Sequence, residues 1–209
     1  MDYYERYWKG KKDQDGILNI PPEWEEKDIK EKIDLFRPFI GKRILDTGCG
    51  DCTFANELSK LSDVTGLEVS DTAIKIAKNK FPKIKVKCGN VTNIPLPEEK
   101  FDTLFAIELV EHILDTEKMF KEFNRVLKPG GFLCITTSQM TFLKNIFISM
   151  FMYDRFYFPT NPHIRFYTKK TLRTILERHG FEIIKYKKNG AYLGIIPKGQ
   201  IVIAKKIDY

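Results

Sequence analysis

Short apolar runs alternate with amphipathic segments along the first two thirds of the chain. The runs have the length and the aliphatic or aromatic content of buried strands. They lie at Arg43–Asp46, Asp63–Glu68, Ile84–Cys88, Phe101–Ile107 and Phe132–Thr137. Helical spacing of apolar residues, with proline and glycine as stop signals, predicts helices around them. These helices lie at 24–38, Thr53–Leu61, Thr72–Lys80, Leu109–Ile113 and Thr116–Leu127, the last closed by residues 128–131.

This alternation predicts an α/β fold in which helices cover both faces of a mostly parallel, doubly wound sheet. The alternation stops near residue 140. A helix at Lys169–His179 precedes two strands, Phe181–Lys187 and Gln200–Lys205, with no helix between them. Consecutive strands of this kind predict an antiparallel pair added to the parallel sheet.

The length of 209 residues suits one domain with a sizeable core. We expect four parts: an N-terminal segment and helix (1–39), a core (40–138), an insertion (139–168), and a terminal helix with the strand pair (169–209). The apolar fraction of 43% indicates a globular rather than a disordered chain.

Positive charge is concentrated at the end of the chain. The whole sequence carries a formal charge of +7, whereas residues 139–209 contain 13 basic and 4 acidic side chains, a net of +9. A neutral body with a basic end suggests a ligand-facing cap that attracts anions. A solvated lysine-rich surface explains the same charge equally well.

Nothing in the sequence indicates secretion or a membrane span. The N-terminal residues have no apolar core typical of a signal peptide. The most apolar stretch, Met140–Met152, contains Lys144 and is too short to cross a bilayer. Four cysteines in such a chain are expected to be reduced thiols, so we expect a cytoplasmic protein.

The segment from Asp46 to Cys52, DTGCGDC, has two incompatible interpretations. Its C-x-x-C pair is typical of redox exchange or of half a zinc site. Its G-x-G after a strand is instead typical of a loop whose backbone approaches a polar ligand closely. Glu68 ends the next strand, 22 residues after Asp46, where it is placed to accept hydrogen bonds from a ribose diol.

Four segments, taken in order, resemble the class I S-adenosylmethionine-dependent methyltransferases. They are ILDTGCGDCTFANEL, VTGLEVSDTAIKIAK, VKCGNVTNIPLPEEKFDTLFAIELVEHI and FNRVLKPGGFLCITT. The resemblance covers residues 40–138. It implies a Rossmann-like seven-stranded sheet in the order 3-2-1-4-5-7-6 with strand seven antiparallel. It also implies S-adenosylmethionine as cofactor, bound by Asp46, Gly48, Cys49, Gly50, Glu68, Val69, Asn90, Val91, Ile107 and Glu108.

The sequence departs from the family pattern at three positions of the cofactor-binding core. Cys52 stands where a third glycine is usual, so the start of the helix must accommodate a small thiol. Glu68 replaces the commoner aspartate and reaches further. Asn90 stands where an aspartate often accepts from the adenine amino group, and an amide oxygen can also accept. Each of these changes could weaken cofactor binding without abolishing it.

The sequence Glu108-Leu-Val-Glu111-His112 is a candidate catalytic or metal site. On a helix, positions i, i+3 and i+4 share one face, so two carboxylates and an imidazole would converge. The motif resembles those of two metal-assisted groups, the ubiquinone-biosynthesis O-methyltransferases and the small-RNA 2′-O-methyltransferases. In the small-RNA enzymes a later histidine completes the metal site, and His163 could fill that role in a Mg²⁺ or Mn²⁺ site here. Alternatively, Glu108 contacts cofactor or substrate, while Glu111 and His112 are packing or surface residues.

Several residues outside the core are candidates for binding the methyl acceptor. His163 and Arg165 could act as base and anion clamp, or simply cap the helix that starts after Thr168. The aromatic insertion 140–162 lies where the family builds its acceptor pocket, and Phe151, Tyr157 and Tyr167 are its candidate contacts. It could instead dock on a membrane surface or form a dimer contact. Tyr3, Tyr4, Tyr7 and Trp8 resemble an aromatic N-terminal lid.

The resemblance therefore predicts a methyltransferase that transfers the methyl group of S-adenosylmethionine, with oxygen as the favoured acceptor atom. The acceptor is expected to be a small or amphipathic metabolite, with an anionic group favoured by the basic end of the chain. Two alternatives stay open. One is metal-assisted 2′-O-methylation of RNA, which the basic end and the E-x-x-E-H motif would suit. The other is a cofactor-binding regulatory domain without catalysis.

Overall fold

The computed structural model describes residues 3–9, 22–159, 161–192 and 196–207, and everything below refers to that part of the chain. One seven-stranded sheet runs through it, in the order β3-β2-β1-β4-β5-β7-β6. Its strands are β1 (Arg43–Thr47), β2 (Asp63–Glu68), β3 (Lys85–Cys88), β4 (Phe101–Ile107), β5 (Leu127–Ser138), β6 (Phe181–Tyr192) and β7 (Ile196–Lys206). β7 runs antiparallel to both of its neighbours, and the other pairs are parallel. The predicted strand order is confirmed.

Eight helices accompany the sheet in the described ranges. They are α1 (Tyr3–Lys9), α2 (Pro22–Phe36), α3 (Thr53–Ser59), α4 (Asp71–Lys80), α5 (Thr116–Val126), α6 (Phe142–Phe151), α7 (Tyr153–Phe156) and α8 (Lys169–Arg178). None of these helices combines the length and the apolar character needed to span a membrane. Side-chain caps define several starts: Ser70 for α4, Asp115 for α5, and a capping box of Thr168 and Thr171 for α8.

Two apolar clusters, one on each face of the sheet, form the core. The two clusters arise because successive side chains along each strand point to opposite faces of the sheet. Thus Leu104 belongs to the cluster that packs on α5 and α8, and Phe105 to the cluster that packs on α2 and α3. Burial on both faces explains why the central strands read as nearly continuous apolar runs.

Two predicted elements are wrong, for identifiable reasons. The α-helix expected at Leu109–Ile113 is a single 3₁₀ turn, Val110–His112, because Glu108 adopts a left-handed backbone with φ of 47°. Residues 128–131 follow the end of α5 as predicted, but β5 begins at Leu127 rather than at the predicted Phe132. They bulge out of β5 between two paired residues, Leu127 opposite Phe101 and Phe132 opposite Thr103. The insertion, for which no helix was predicted, contains α6 and α7.

Candidate active site at the carboxyl edge of the sheet

The loop between β1 and α3 is tied to the end of β2. The backbone N–H groups of Gly48 and Cys49 both donate to the carbonyl of Leu67, at 2.8 and 3.1 Å. Gly50 has a φ of 54°, which favours glycine, and a Cβ built there would lie 2.7 Å from the Trp8 ring. The loop therefore has no room for a side chain at Gly50, because Trp8 of α1 lies directly against it.

Helix α1 is held against the domain by one acidic side chain. The carboxylate of Glu5 accepts hydrogen bonds from the hydroxyl and the backbone N–H of Thr72, at 2.6 and 3.3 Å. These hydrogen bonds lower the pKa of Glu5 to about 2. Tyr7 and Trp8 line the same cavity as the glycine loop, whereas the side chains of Tyr3 and Tyr4 lie outside the described part.

The two cysteines of DTGCGDC are buried, free thiols whose sulfurs lie 3.4 Å apart. The hydrogen bond from Cys52 and burial of the thiol raise the pKa of Cys49, with a further contribution from the charge of Asp46. Among the described residues, neither thiol belongs to a cluster of three or more side chains that could hold a metal ion. The structure therefore gives the C-x-x-C spacing no support as a zinc site.

Cys52 has a φ of 63° and a ψ of 20°, the left-handed conformation that explains why glycine is usual here. We expect Cys52→Gly to remove about 1 kcal/mol of backbone strain and to lose a similar amount from the buried thiol, leaving stability nearly unchanged. Cys52→Ala keeps the strain and loses the sulfur, so it should unfold at a lower urea concentration than Cys52→Gly. Cofactor affinity of Cys52→Gly, measured by calorimetry, should equal or exceed that of the parent. A large loss of affinity in this variant would contradict the account of the loop.

Glu68 joins β2 to the glycine loop through its carboxylate. One oxygen accepts from the backbone N–H of Gly50, and the other accepts from those of Val69 and Ser70, all at 2.9 Å. The carboxylate is therefore fixed in orientation at the cavity wall. Burial raises the pKa of Asp46, at the end of β1, to about 8, and the negative charge of Glu68 adds to this.

A cavity of about 620 Å³ opens at the carboxyl ends of β1, β2 and β4. Seven of the ten predicted cofactor residues line it: Gly48, Gly50, Glu68, Val69, Asn90, Val91 and Glu108. Asp46, Cys49 and Ile107 do not. Residues that the sequence did not single out complete the wall, among them Leu67, Gly89, Thr92, Leu109, Ile113, Leu114, Asp115 and Pro162. In the sequence, only their position could have indicated that these residues line the cavity, since most of them follow the carboxyl ends of strands.

Beyond the glycine loop, the cavity reaches two histidines. His112 and His163 both line it, and their rings meet edge to face with centroids 4.8 Å apart. Nδ1 of His112 lies 3.0 Å from the carbonyl of Pro162, so this nitrogen carries the proton and Nε2 keeps its lone pair. Burial, with His163 nearby, lowers the pKa of His112 to about 4. Burial also lowers the pKa of His163. Neutral imidazoles of this kind can accept a proton or bind a metal.

Glu111 lies fully buried behind these histidines. Its carboxylate accepts from the hydroxyl of Thr137 at 2.8 Å and from the backbone N–H of Ser138 at 3.3 Å. Burial raises its pKa to about 8, and the charge of Glu108 adds to this. The ligand atoms of Glu111, His112 and His163 lie within 4.8 Å of one another.

Glu111, His112 and His163 fit a divalent cation, although Glu108 is not part of the group. The hydrogen bond on Nδ1 of His112 is the kind that orients an imidazole ligand. Two imidazoles with one carboxylate suit Mn²⁺, Fe²⁺ or Zn²⁺ better than Mg²⁺, which prefers oxygen ligands. The donor set therefore differs from the predicted one, which contained two carboxylates and had helical geometry.

The four residues predicted to bind substrate do not line the cavity. Arg165 donates to the carbonyl of Leu114 at 2.6 Å and so braces the cavity mouth. Tyr167 is buried and donates to the carbonyl of Val110 at 3.3 Å. Tyr157 bonds to Asn145, and Phe151 is largely exposed on α6. Contact of these four residues with the acceptor stays a prediction.

The third histidine, His179, lies elsewhere. It ends α8, where its Nε2 contacts the carboxylate of Glu117 at 3.0 Å and its Nδ1 lies 2.8 Å from the carbonyl of Ile175. It does not line the cavity at the carboxyl edge of the sheet.

Residues 45–135 match the methyltransferase domain family. Together with the sheet order and the placement of the cavity, this match identifies residues 45–135 as a methyltransferase domain of the class I S-adenosylmethionine-dependent type. The individual relatives and solved structures that it resembles agree with this family.

A probable S-adenosylmethionine-dependent methyltransferase of Mycolicibacterium smegmatis is 30% identical over 68% of this chain and 53% of its own length. A ubiquinone biosynthesis O-methyltransferase of Coxiella burnetii is 33% identical over 49% of this chain and 46% of its own length. The chain thus spans about half the length of these curated relatives. A methyltransferase structure from Methanosarcina mazei superposes with a TM-score of 0.69, covering 92% of this chain and all of that one, at 22% identity, and so supports the fold.

Proposed function

We propose that this protein transfers the methyl group of S-adenosylmethionine to a hydroxyl oxygen of a small, amphipathic acceptor. The observation that carries the proposal is the pair of neutral imidazoles, His112 and His163, in the same cavity as the glycine loop and Glu68. A hydroxyl acceptor needs its proton removed as the methyl group arrives, and these imidazoles supply a proton acceptor.

The cofactor would lie along the carboxyl edge of β1, β2 and β3. Its ribose diol would donate to the Glu68 carboxylate, whose three backbone donors already orient it. Its adenine would lie beside Asn90 and Val91, and its methionine part beside Gly48 and Gly50. This order places the sulfonium methyl group on the side of the cavity that faces Glu108 and the histidines.

In the proposed reaction, the acceptor oxygen attacks the methyl carbon as the C–S bond breaks. An O–CH₃ bond forms, S-adenosylhomocysteine leaves, and the acceptor proton passes to Nε2 of an imidazole. The reaction is intrinsically downhill, so alignment of the two reactants supplies most of the acceleration. Alternatively, a divalent cation bound by Glu111, His112 and His163 would lower the pKa of a bound hydroxyl, and the two imidazoles would then be metal ligands rather than proton acceptors.

The surface beside the cavity supports an acceptor that has an apolar part. Leu114, at the cavity wall, is 73% exposed. Large exposed apolar side chains concentrate on α6, α7 and the loop that follows: Phe142, Leu143, Ile146, Met150, Phe151, Tyr153, Tyr157 and Phe158. A relative named for ubiquinone biosynthesis is consistent with such an acceptor. The RNA and non-catalytic alternatives gain no support from the comparisons.

The test is transfer of a radiolabelled methyl group from S-adenosylmethionine to cell-extract fractions and to 3,4-dihydroxybenzoate, a small anionic catechol. We expect the label on an oxygen atom. 3,4-Dimethoxybenzoate, which lacks free hydroxyls, is the matched control and should accept nothing. Label found only on nitrogen or carbon would overturn the proposed acceptor atom. No transfer to any fraction, despite tight cofactor binding, would overturn catalysis.

A further inference from the structure

Helix α6 presents large apolar side chains outward as well as inward. Phe142 and Met150, on its outward side, are 78% and 69% exposed, whereas Ile148 on the opposite side is buried. A helix that is apolar on all sides is typical of a protein core or of a membrane. The helix is also firmly attached, since the ammonium of the buried Lys144 donates to two backbone carbonyls, one just after β5 and one on β7, both at 2.8 Å. The outward side of α6 is therefore an apolar surface on a helix whose position is fixed.

The apolar surface continues onto α7 and the loop after it. The rings of Tyr153 and Tyr157 lie 5.1 Å apart, and the hydroxyl of Tyr157 donates to the side chain of Asn145 on α6 at 3.0 Å. We call the exposed apolar side chains of residues 142–158 the α6–α7 patch. Its five exposed aromatic side chains alone present on the order of 500 Å² of surface, since each has about 150–250 Å² in all. Exposed apolar patches of this size are typical of interaction sites.

The α6–α7 patch reaches the mouth of the cavity. Phe156 of α7 packs against Phe166, with ring centroids 5.7 Å apart. The neighbouring Arg165 donates to the carbonyl of Leu114, which lines the cavity. Contacts between these residues therefore connect the patch with the cavity wall.

Basic side chains lie beside the patch. The carbonyl of Lys198 accepts from Lys144 of α6 at 2.8 Å, so the start of β7 lies next to this helix. Lys187 and Lys188, near the end of β6, pair with the adjoining part of β7. These two lysines, Lys198 and Arg155 of α7 are all exposed. The patch thus has a positively charged rim.

Negative charge in the same part of the chain lies mostly elsewhere. Asp154 is on α7, but Glu177 is in the last turn of α8 and Glu182 is at the start of β6, both at the opposite edge of the sheet. A symmetric contact between two copies of the chain would bring the same lysines together, and like charges disfavour it. A surface that carries negative charge would instead be attracted.

We propose that the α6–α7 patch docks on the surface of a membrane that contains anionic lipids, with α6 lying in the plane of the interface. At about 1.5 Å per residue, the helix is ~15 Å long, half the thickness of the hydrocarbon core, so it can lie in the interface but cannot cross. The apolar side chains enter the boundary between headgroups and acyl chains, and the tyrosines lie at the headgroups. The lysines meet the lipid phosphates.

Docking of this kind places the mouth of the cavity next to the membrane surface, where an amphipathic acceptor is concentrated. This consequence rests on the proposed function, whereas the docking itself does not.

Co-sedimentation with lipid vesicles tests the docking without an acceptor or turnover. We expect the protein to bind phosphatidylcholine vesicles that contain about one third phosphatidylglycerol about tenfold or more tighter than vesicles of phosphatidylcholine alone, with a smaller difference at high salt. A double variant, Phe142→Gln with Met150→Gln, removes two exposed apolar side chains without adding charge and should weaken binding about tenfold or more. A second double variant, Lys187→Gln with Lys188→Gln, should weaken binding to the anionic vesicles about fivefold or more.

Two matched controls lie at the opposite edge of the sheet. Leu61→Gln changes an exposed apolar residue that precedes β2, and Lys121→Gln changes an exposed lysine of α5. Both should bind the vesicles as the parent does. Cofactor affinity within about twofold of the parent would show that each variant is folded.

Failure of the parent to bind the anionic vesicles would overturn the proposal, and so would undiminished binding by both double variants. Equal binding to the two kinds of vesicle would overturn the role of anionic lipids. If light scattering shows a dimer that Phe142→Gln with Met150→Gln dissociates, and no vesicle binding occurs, the patch is a contact between two copies and the proposal is wrong. If the parent docks but transfers no methyl group to any acceptor, the proposed function fails and the docking stands.

Discussion

Replacing Glu68 with alanine is expected to weaken S-adenosylmethionine binding by about 100-fold in calorimetry. The carboxylate would accept two hydrogen bonds from the ribose diol, and hydrogen bonds to a charged group contribute about 1.5 kcal/mol or more each. Their combined loss of about 3 kcal/mol corresponds to this factor. The variant also loses the three backbone contacts that set the loop, to Gly50, Val69 and Ser70.

Two further variants help to distinguish the loss of the ribose contacts from the loss of the loop contacts in the affinity of Glu68→Ala. Glu68→Asp keeps the charge on a shorter side chain, so its affinity should lie between those of the parent and Glu68→Ala. Glu57→Ala removes a carboxylate from α3 that pairs with Lys60 and accepts from the Asn56 amide, and should bind the cofactor as the parent does. Affinity of Glu68→Ala within twofold of the parent would mean that the cofactor lies elsewhere.

The strand order followed from the resemblance to the methyltransferase family. The strands themselves and the presence of the glycine loop and Glu68 at the carboxyl edge of the sheet were predictable without it. Those features depend on local signals: apolar runs of strand length, glycines in a loop after β1, and an acidic residue at the end of β2. In a parallel sheet, such residues come together wherever the strands end, so no knowledge of distant contacts was needed. Glu68 was therefore predictable from its position alone.

The acceptor side was not predictable in the same way. The contact between His112 and His163 joins segments about fifty residues apart, and it depends on the turn that Glu108 begins with its left-handed backbone. Helical spacing predicted convergence of Glu108 with Glu111 and His112. A 3₁₀ turn forms there instead of an α-helix, and Glu108 hydrogen-bonds to Glu111 without joining the group of possible metal ligands. Lys144 was apparent only as a charge that interrupts an apolar stretch, and its burial follows from tertiary contacts with β5 and β7.

Replacing His163 with glutamine is expected to lower kcat by at least about 100-fold, the usual contribution of a positioned proton acceptor. Glutamine preserves approximate size and hydrogen bonding but cannot take up the acceptor proton. Cofactor affinity should stay within about threefold, because His163 is not among the residues predicted to bind the cofactor. His179→Gln is the matched control, since this histidine ends α8 and does not line the cavity. A His163→Gln variant that retains more than half of the parent kcat would contradict the assignment.

A chelator then decides how His163 acts. If His163 is a metal ligand, removing divalent cations from the parent protein should reduce kcat as much as His163→Gln does, and Mn²⁺ should restore it. Calorimetry should then show Mn²⁺ binding to the parent and much weaker binding to Glu111→Gln and His163→Gln, because the three ligand atoms lie within 4.8 Å of one another. If chelation leaves kcat unchanged while His163→Gln loses activity, the imidazole itself removes the proton. The buried Glu111 then serves to hold the turn that carries His112, through its hydrogen bonds to Thr137 and Ser138.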